Sequence, residues 1–142
     1  MKEEFMIKEK AINYFMNGFS CSESIVKASI DLGLCEENLL PCSTIFSAGM
    51  SSGCVCGTIS GAQLVLGHLF GRNNKYGNQI SAREKAAELV SEFKDKNKVT
   101  CCRVLCSGLE GSQKKEHCCK LVCDSSDILE KLVEQAGVSI SG

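Results

Sequence analysis

Proline is nearly absent, with Pro41 the only one, and runs of alternating β-branched residues are few. A β fold is therefore disfavoured, and helices are expected throughout. No apolar stretch approaches the roughly 20 residues needed to cross a bilayer, so no membrane insertion is expected. The first residues, MKEEFMIKEKAINYFMNG, are charged and amphipathic and lack the unbroken apolar run of a secretory signal. Net charge is also lacking: 16 basic residues against 17 acidic give −1. Without a long-range field, neither nucleic acid nor an anionic membrane is expected as a partner.

Several catalytic signatures are missing too. The chain contains no C-x-x-C, C-x-x-C-H, Walker loop, G-x-S-x-G or H-E-x-x-H. Thioredoxin-like redox chemistry, c-type haem attachment and several hydrolase classes are thereby set aside.

Cysteine is what the chain has in abundance: eleven in 142 residues. A domain of this length buries about two-thirds of its unfolded surface without covalent staples, so disulfides are not needed for stability. An odd number cannot pair completely. A cytoplasmic location is expected, and there cysteines are more often metal-binding or redox-active than part of a disulfide framework. Six of the eleven lie in two matching hexapeptides, CCRVLC at 101–106 and CCKLVC at 118–123. On a helix, Cys102 and Cys106 share a face, as do Cys119 and Cys123, a spacing suited to two ligands of one soft metal and equally to core packing. Cys35 and Cys42 stand outside any pattern and read as small apolar residues.

Five or six helices around a central glycine-rich one are expected. Phe5, Ile12, Tyr14, Phe15 and Met16 supply the inward face of the first, which ends at Gly18. Ser20 and Glu23 form a capping box opening a second helix that stops at Gly33. Residues 34–55 read as irregular. The helix from about Cys56 to Phe70 is apolar almost all round, and Gly57, Gly61, Gly67 and Gly71 at four-residue spacing would let a neighbour approach closely. Ser81 and Glu84 form a further capping box, Thr100 caps a short helical segment, and the second hexapeptide leads into a last helix ended by Gly137. Cys21, Cys56, Cys102 and Cys118 then fall in first turns, where free amides and the helix dipole favour thiolate over thiol. Cys54 adds a C-x-C with Cys56. His68 reads as a helix-edge residue, His117 as a loop neighbour of Cys118, and Met1, Met6, Met16 and Met50 are too scattered for a thioether site.

Four stretches together resemble the C_GCAxxG_C_C family of redox-active proteins. GFSCSESIV (18–26) is similar to its first cysteine box, CGTISGAQLVLGHLFGR (56–72) to its C-G-A-x-x-G helix, CRVL from Cys102 to its third box and CCKLVCDSSDILE from Cys118 to its fourth. Thr58 stands where that family usually has alanine. The resemblance implies that Cys21, Cys56, Cys102 and Cys118 are the redox-active thiols or metal ligands; Cys54, Cys106, Cys119 and Cys123 are additions to the family pattern and are expected as a second tier of metal ligands. Gly57 and Gly61 border the bound group. Likeness to a domain of split-Soret cytochromes implies an iron–sulfur cluster. Zinc, Cu(I) or a metal-free dithiol couple are the alternatives, including Cu(I) storage on the C-x₃-C pairs without turnover. An unidentified redox partner is expected, and the close-approach glycines are equally compatible with a homo-oligomer.

Overall fold

The computed structural model describes residues 6–140, so the expectations for Met1 and Phe5 lie outside the described residues. The fold is all-α, with seven helices among the described residues: α1 Met6–Met16, α2 Cys21–Asp31, α3 Leu39–Thr44, α4 Gly57–Phe70, α5 Ile80–Asn97, α6 Cys102–Leu105 and α7 Gly111–Gln135. Two of these, α3 and α6, are single short turns that raise the count above five or six. The segment 34–55, read as irregular, contains α3. Pro41 is third in that helix, where an amide N–H would have no intrahelical partner in any case.

In α1 the buried stripe is Ile7, Ala11 and Phe15, a strict four-residue spacing. Ile12 and Tyr14 are only half-buried and Met16 is 56% exposed, so the expected inward face was rotated from the true one. The Ser20 cap of α2 forms as expected: Ser20 Oγ accepts from the Glu23 amide, and Glu23 Oε1 accepts from the Ser20 amide at 3.0 Å. Such a cap stabilises a helix by about 1 kcal/mol. Gly33, at φ +78°, ends the run.

The central helix is α4, in contact with α2, α3, α5 and α7. Its buried side chains Ile59, Ala62, Val65 and Leu66 join Ile25 and Val26 of α2, Leu89 and Phe93 of α5, and Leu121, Leu129 and Val133 of α7 in one apolar core. Two of its glycines meet the expected steric demand. A Cβ on Gly61 would stand 2.8 Å from the Ser22 carbonyl oxygen, and one on Gly57 would stand 2.7 Å from Cys21 Sγ. Gly67 faces open space, and Gly71 would meet only the preceding turn of its own helix. The four-residue spacing thus marks a close contact over its first half alone.

Three expected helix starts are different in the structure. α5 begins at Ile80 after Gln79 with no side-chain cap; Ser81 Oγ instead accepts from Lys85 Nζ, and Asn78 Oδ1 accepts from the Ile80 amide. α6 follows Cys101, and Thr100 offers its backbone carbonyl to Cys56 rather than its hydroxyl as a cap. α7 is one 25-residue helix that already runs through the second hexapeptide, so Cys118 is its eighth residue and not in a first turn.

The close α2–α4 contact makes a signed prediction. Gly61→Ala puts a methyl against backbone that cannot swing aside, and destabilises by about 1–3 kcal/mol. Gly67→Ala has room and gains helix propensity of up to about 1 kcal/mol. Urea unfolding of the two variants should move the midpoint in opposite directions; equal shifts would remove the close contact from consideration.

Candidate functional site

Five cysteine side chains line one cavity of about 220 Å³: Cys21, Cys56, Cys102, Cys106 and Cys118. Four of them sit at helix ends and one lies within a helix. Cys21 is the first residue of α2, Cys56 immediately precedes α4, Cys102 opens α6, Cys106 follows its end, and Cys118 projects from within α7. Segments 54–56 and 100–102 lie side by side through an antiparallel bridge of Val55 with Cys101 and a bond of 2.8 Å from the Cys56 amide to the Thr100 carbonyl. This pairing sets Cys56 and Cys102 on a common wall. The remaining lining includes Phe15, Thr58, Leu121 and the cationic Lys114.

A left-handed turn closes one side. Ala48, Gly49, Met50 and Ser51 run consecutively at φ between 55° and 63°, a region that costs non-glycine residues on the order of 1–2 kcal/mol each. Tertiary bonds hold it: Ser51 Oγ donates to the Ile45 carbonyl at 2.9 Å and Arg103 Nη2 to the Ser52 carbonyl at 3.0 Å. A Cβ on Gly49 would lie 2.7 Å from the Cys102 Cβ, so glycine is required there on two counts. Strain of this kind gathers where surroundings over-determine a conformation, and here it presents the Ala48 amide to Cys21.

Burial is the main influence on these thiols. It pushes Cys21 up to about 11, with the neighbouring Cys56 charge second. It does the same to Cys102, up to about 11, and to Cys118, up to about 12, with Cys106 the next cause in both. Cys56 is also raised by burial, against hydrogen bonds from Thr58 and from the Thr58 and Ile59 amides. Thr58 Oγ1 lies 3.1 Å from Cys56 Sγ and 2.8 Å from Ser125 Oγ, so the departure from alanine at this position adds a hydrogen-bonding group to the sulfur. The expectation that helix starts make these cysteines thiolates is therefore overturned: desolvation and mutual repulsion outweigh the dipole and amides.

Of the residues singled out from sequence, Gly57 lines the cavity, while Gly61 lies beyond it against Ser22. Cys106, ranked below the four, stands with them, and its Sγ is 3.9 Å from that of Cys118. The C-x₃-C spacing carried that signal. Lys114 and Ala48 were not anticipated, since both come from segments without a motif. Cys54 is exposed, and Cys119 and Cys123 are half-buried outside the cavity. Cys35 is packed in the core and Cys42 is exposed on α3. His68 is exposed and His117 half-buried, both outside the cavity. Among the described residues no three Cys, His, Asp or Glu side chains are grouped closely enough to hold a metal ion.

The raised thiols fix the sign of a pH dependence. In the unfolded chain they titrate near 9.0, and in the folded metal-free protein at about 11–12 for Cys21, Cys102 and Cys118. The folded state holds their protons longer, so their contribution to stability is complete below about pH 9 and is lost as pH rises through the folded values. The melting temperature of reduced, metal-free protein should fall between about pH 8.5 and about pH 11, and Cys118→Ala should flatten that fall. A melting temperature rising over this interval would contradict the burial assignment.

Comparison with curated proteins finds no match, and comparison with solved structures finds none. No helix among the described residues is long and apolar enough to cross a membrane. Residues 19–132, which include all five cavity cysteines, match the family described as "Putative redox-active protein (C_GCAxxG_C_C)". With most of its length inside that match, the chain belongs to the C_GCAxxG_C_C redox-active family.

Proposed function

We propose that the cavity is an electron-transfer centre whose cysteines hold an iron–sulfur cluster. The observation that carries this reading is the arrangement of five thiols, brought from α2, the start of α4, both ends of α6 and α7, around one space of about 220 Å³. A single tetrahedral ion needs its sulfurs about 3.8 Å apart, given metal–sulfur bonds of about 2.3 Å. A space of about 220 Å³ bordered by five cysteines has room for a multi-atom group, where a lone zinc or Cu(I) would leave most of it empty. The ligands would be Cys21, Cys56, Cys102 and Cys118, with Cys106 beside Cys118 as the substitute or fifth contact.

When bound, such a cluster supplies one-electron transfer at a potential set by charge, burial and hydrogen bonds to its sulfurs. The chain's own residues provide those three controls. Phe15 and Leu121 keep the lining apolar and exclude water. The amides of Thr58 and Ile59 and the Thr58 hydroxyl face Cys56, and the Ala48 and Ser22 amides face Cys21. Each stabilises negative charge on sulfur. Lys114 adds a cation at the lining. The thiols surrender their protons on ligation, which relieves the repulsion that holds them protonated.

A dithiol couple is the second reading, favoured by the 3.9 Å approach of Cys106 and Cys118. Forming their disulfide would release two electrons and two protons to an acceptor disulfide or quinone. Against it, a thiol raised to about 12 supplies almost no thiolate at neutral pH.

Protein purified and reconstituted without oxygen decides between the readings. We expect iron and acid-labile sulfide in equal amounts with a visible charge-transfer band. Cys21→Ser, Cys56→Ser and Cys118→Ser should each lower iron content by at least about tenfold, while Cys42→Ser leaves it unchanged. Colourless, iron-free protein that loses two thiols on mild oxidation would establish the dithiol couple instead.

A further inference from the structure

The two C-x₃-C pairs have separate fates. Cys102 and Cys106 flank the four-residue α6 and both reach the cavity. Cys119 and Cys123 lie on the continuous α7, one residue round from the cavity-facing Cys118, and reach no part of it. We propose that Cys119 and Cys123 form a second thiol site, independent of the cavity, that takes one soft two-coordinate ion of the monovalent copper type.

Four residues apart on an unbroken helix, the two share a face with Cβ atoms about 5–6 Å apart. Both are half-buried, and Cys119 also packs against the apolar core, so an ion held there is partly shielded from water yet reachable from it. A disulfide needs Cβ atoms about 3.5–4.5 Å apart, so an intact α7 keeps this pair as a dithiol. Lys8 and Asp127 lie alongside, joined to each other at 3.7 Å, which commits that carboxylate to an ammonium. No third donor completes a group at this place among the described residues. Zinc, which calls for four ligands, is poorly served; two thiolates satisfy a monovalent soft ion. The pair gives up two protons as the ion binds, and the single negative charge that remains stays half-exposed to water.

The test uses the full, reduced chain without oxygen, with Ag(I) as the probe. Iodoacetamide is added after each increment, and alkylated cysteines are mapped by mass spectrometry. Cys119 and Cys123 should lose reactivity together, at one common Ag(I) level, while Cys42 serves as the unpaired reference. In Cys119→Ser, and again in Cys119→Ala in case one variant folds poorly, protection of Cys123 should require at least about tenfold more Ag(I), comparable to losing an outer-shell partner. Protection of Cys123 at the same level in these variants, or of the two cysteines at separate levels in the unmodified chain, would overturn the proposal. Iron and sulfide content of the same samples reports on the cavity alone, so failure of one reading is distinguishable from failure of the other.

Discussion

Backbone-to-backbone contact between α2 and α4 is the constraint on which the rest of the structure depends. With the Ser22 backbone pressed against Gly61 and Cys21 Sγ against Gly57, the two helices meet with no room for a Cβ at either glycine. Cys21 and Cys56 are held as neighbours because nothing larger than hydrogen fits between their helices. Every other sulfur is brought to this fixed pair: Cys102 by the bridge beneath it, Cys106 by the end of α6, Cys118 by α7 packing on α4. Loss of that contact would widen the cavity and deprive the remaining sulfurs of the wall they face.

Gathering thiols in this way has an electrostatic cost that a bound cation would remove. Buried sulfurs repel one another once ionised, so each retains its proton well above the ordinary range. The same crowding that makes them poor nucleophiles would favour a bound cation, because positive charge in the middle would replace several protons at once. The amides at the starts of α2 and α4 are too weak to ionise the thiols alone. They are well placed to stabilise sulfur charge once it is there.

Much of this was legible in the sequence where local rules are strong. The Ser20–Glu23 box, the stop at Gly33 and the apolar helix after Cys56 follow from capping, glycine and composition, and four cysteines in order pointed to one place. Legibility failed where distant contacts override local ones. Ser81 and Glu84 have the right spacing for a cap, yet the chain enters α5 two residues earlier and Ser81 binds Lys85 instead. The glycine spacing continues to Gly71, but only the first two positions have a neighbour to meet. Cys118 read as a helix start because the hexapeptide follows a polar stretch, and α7 simply runs through it. Thiolate character was misjudged for a related reason: helix position is written in the sequence, whereas depth of burial is not.

The left-handed turn at residues 48–51 carries an implication for the order of events during synthesis. Its backbone is unfavourable by itself and leans on Arg103, which lies 51 residues beyond its acceptor Ser52. A chain emerging from its amino end has made Cys21, Cys56 and the helices that join them well before Arg103 exists. Until then the turn has only its local bond from Ser51 to Ile45, and that side of the pocket lacks its long-range tie. Closing that side thus waits on a residue made after both Cys21 and Cys56, so the pocket's enclosure is completed late in the order of the chain.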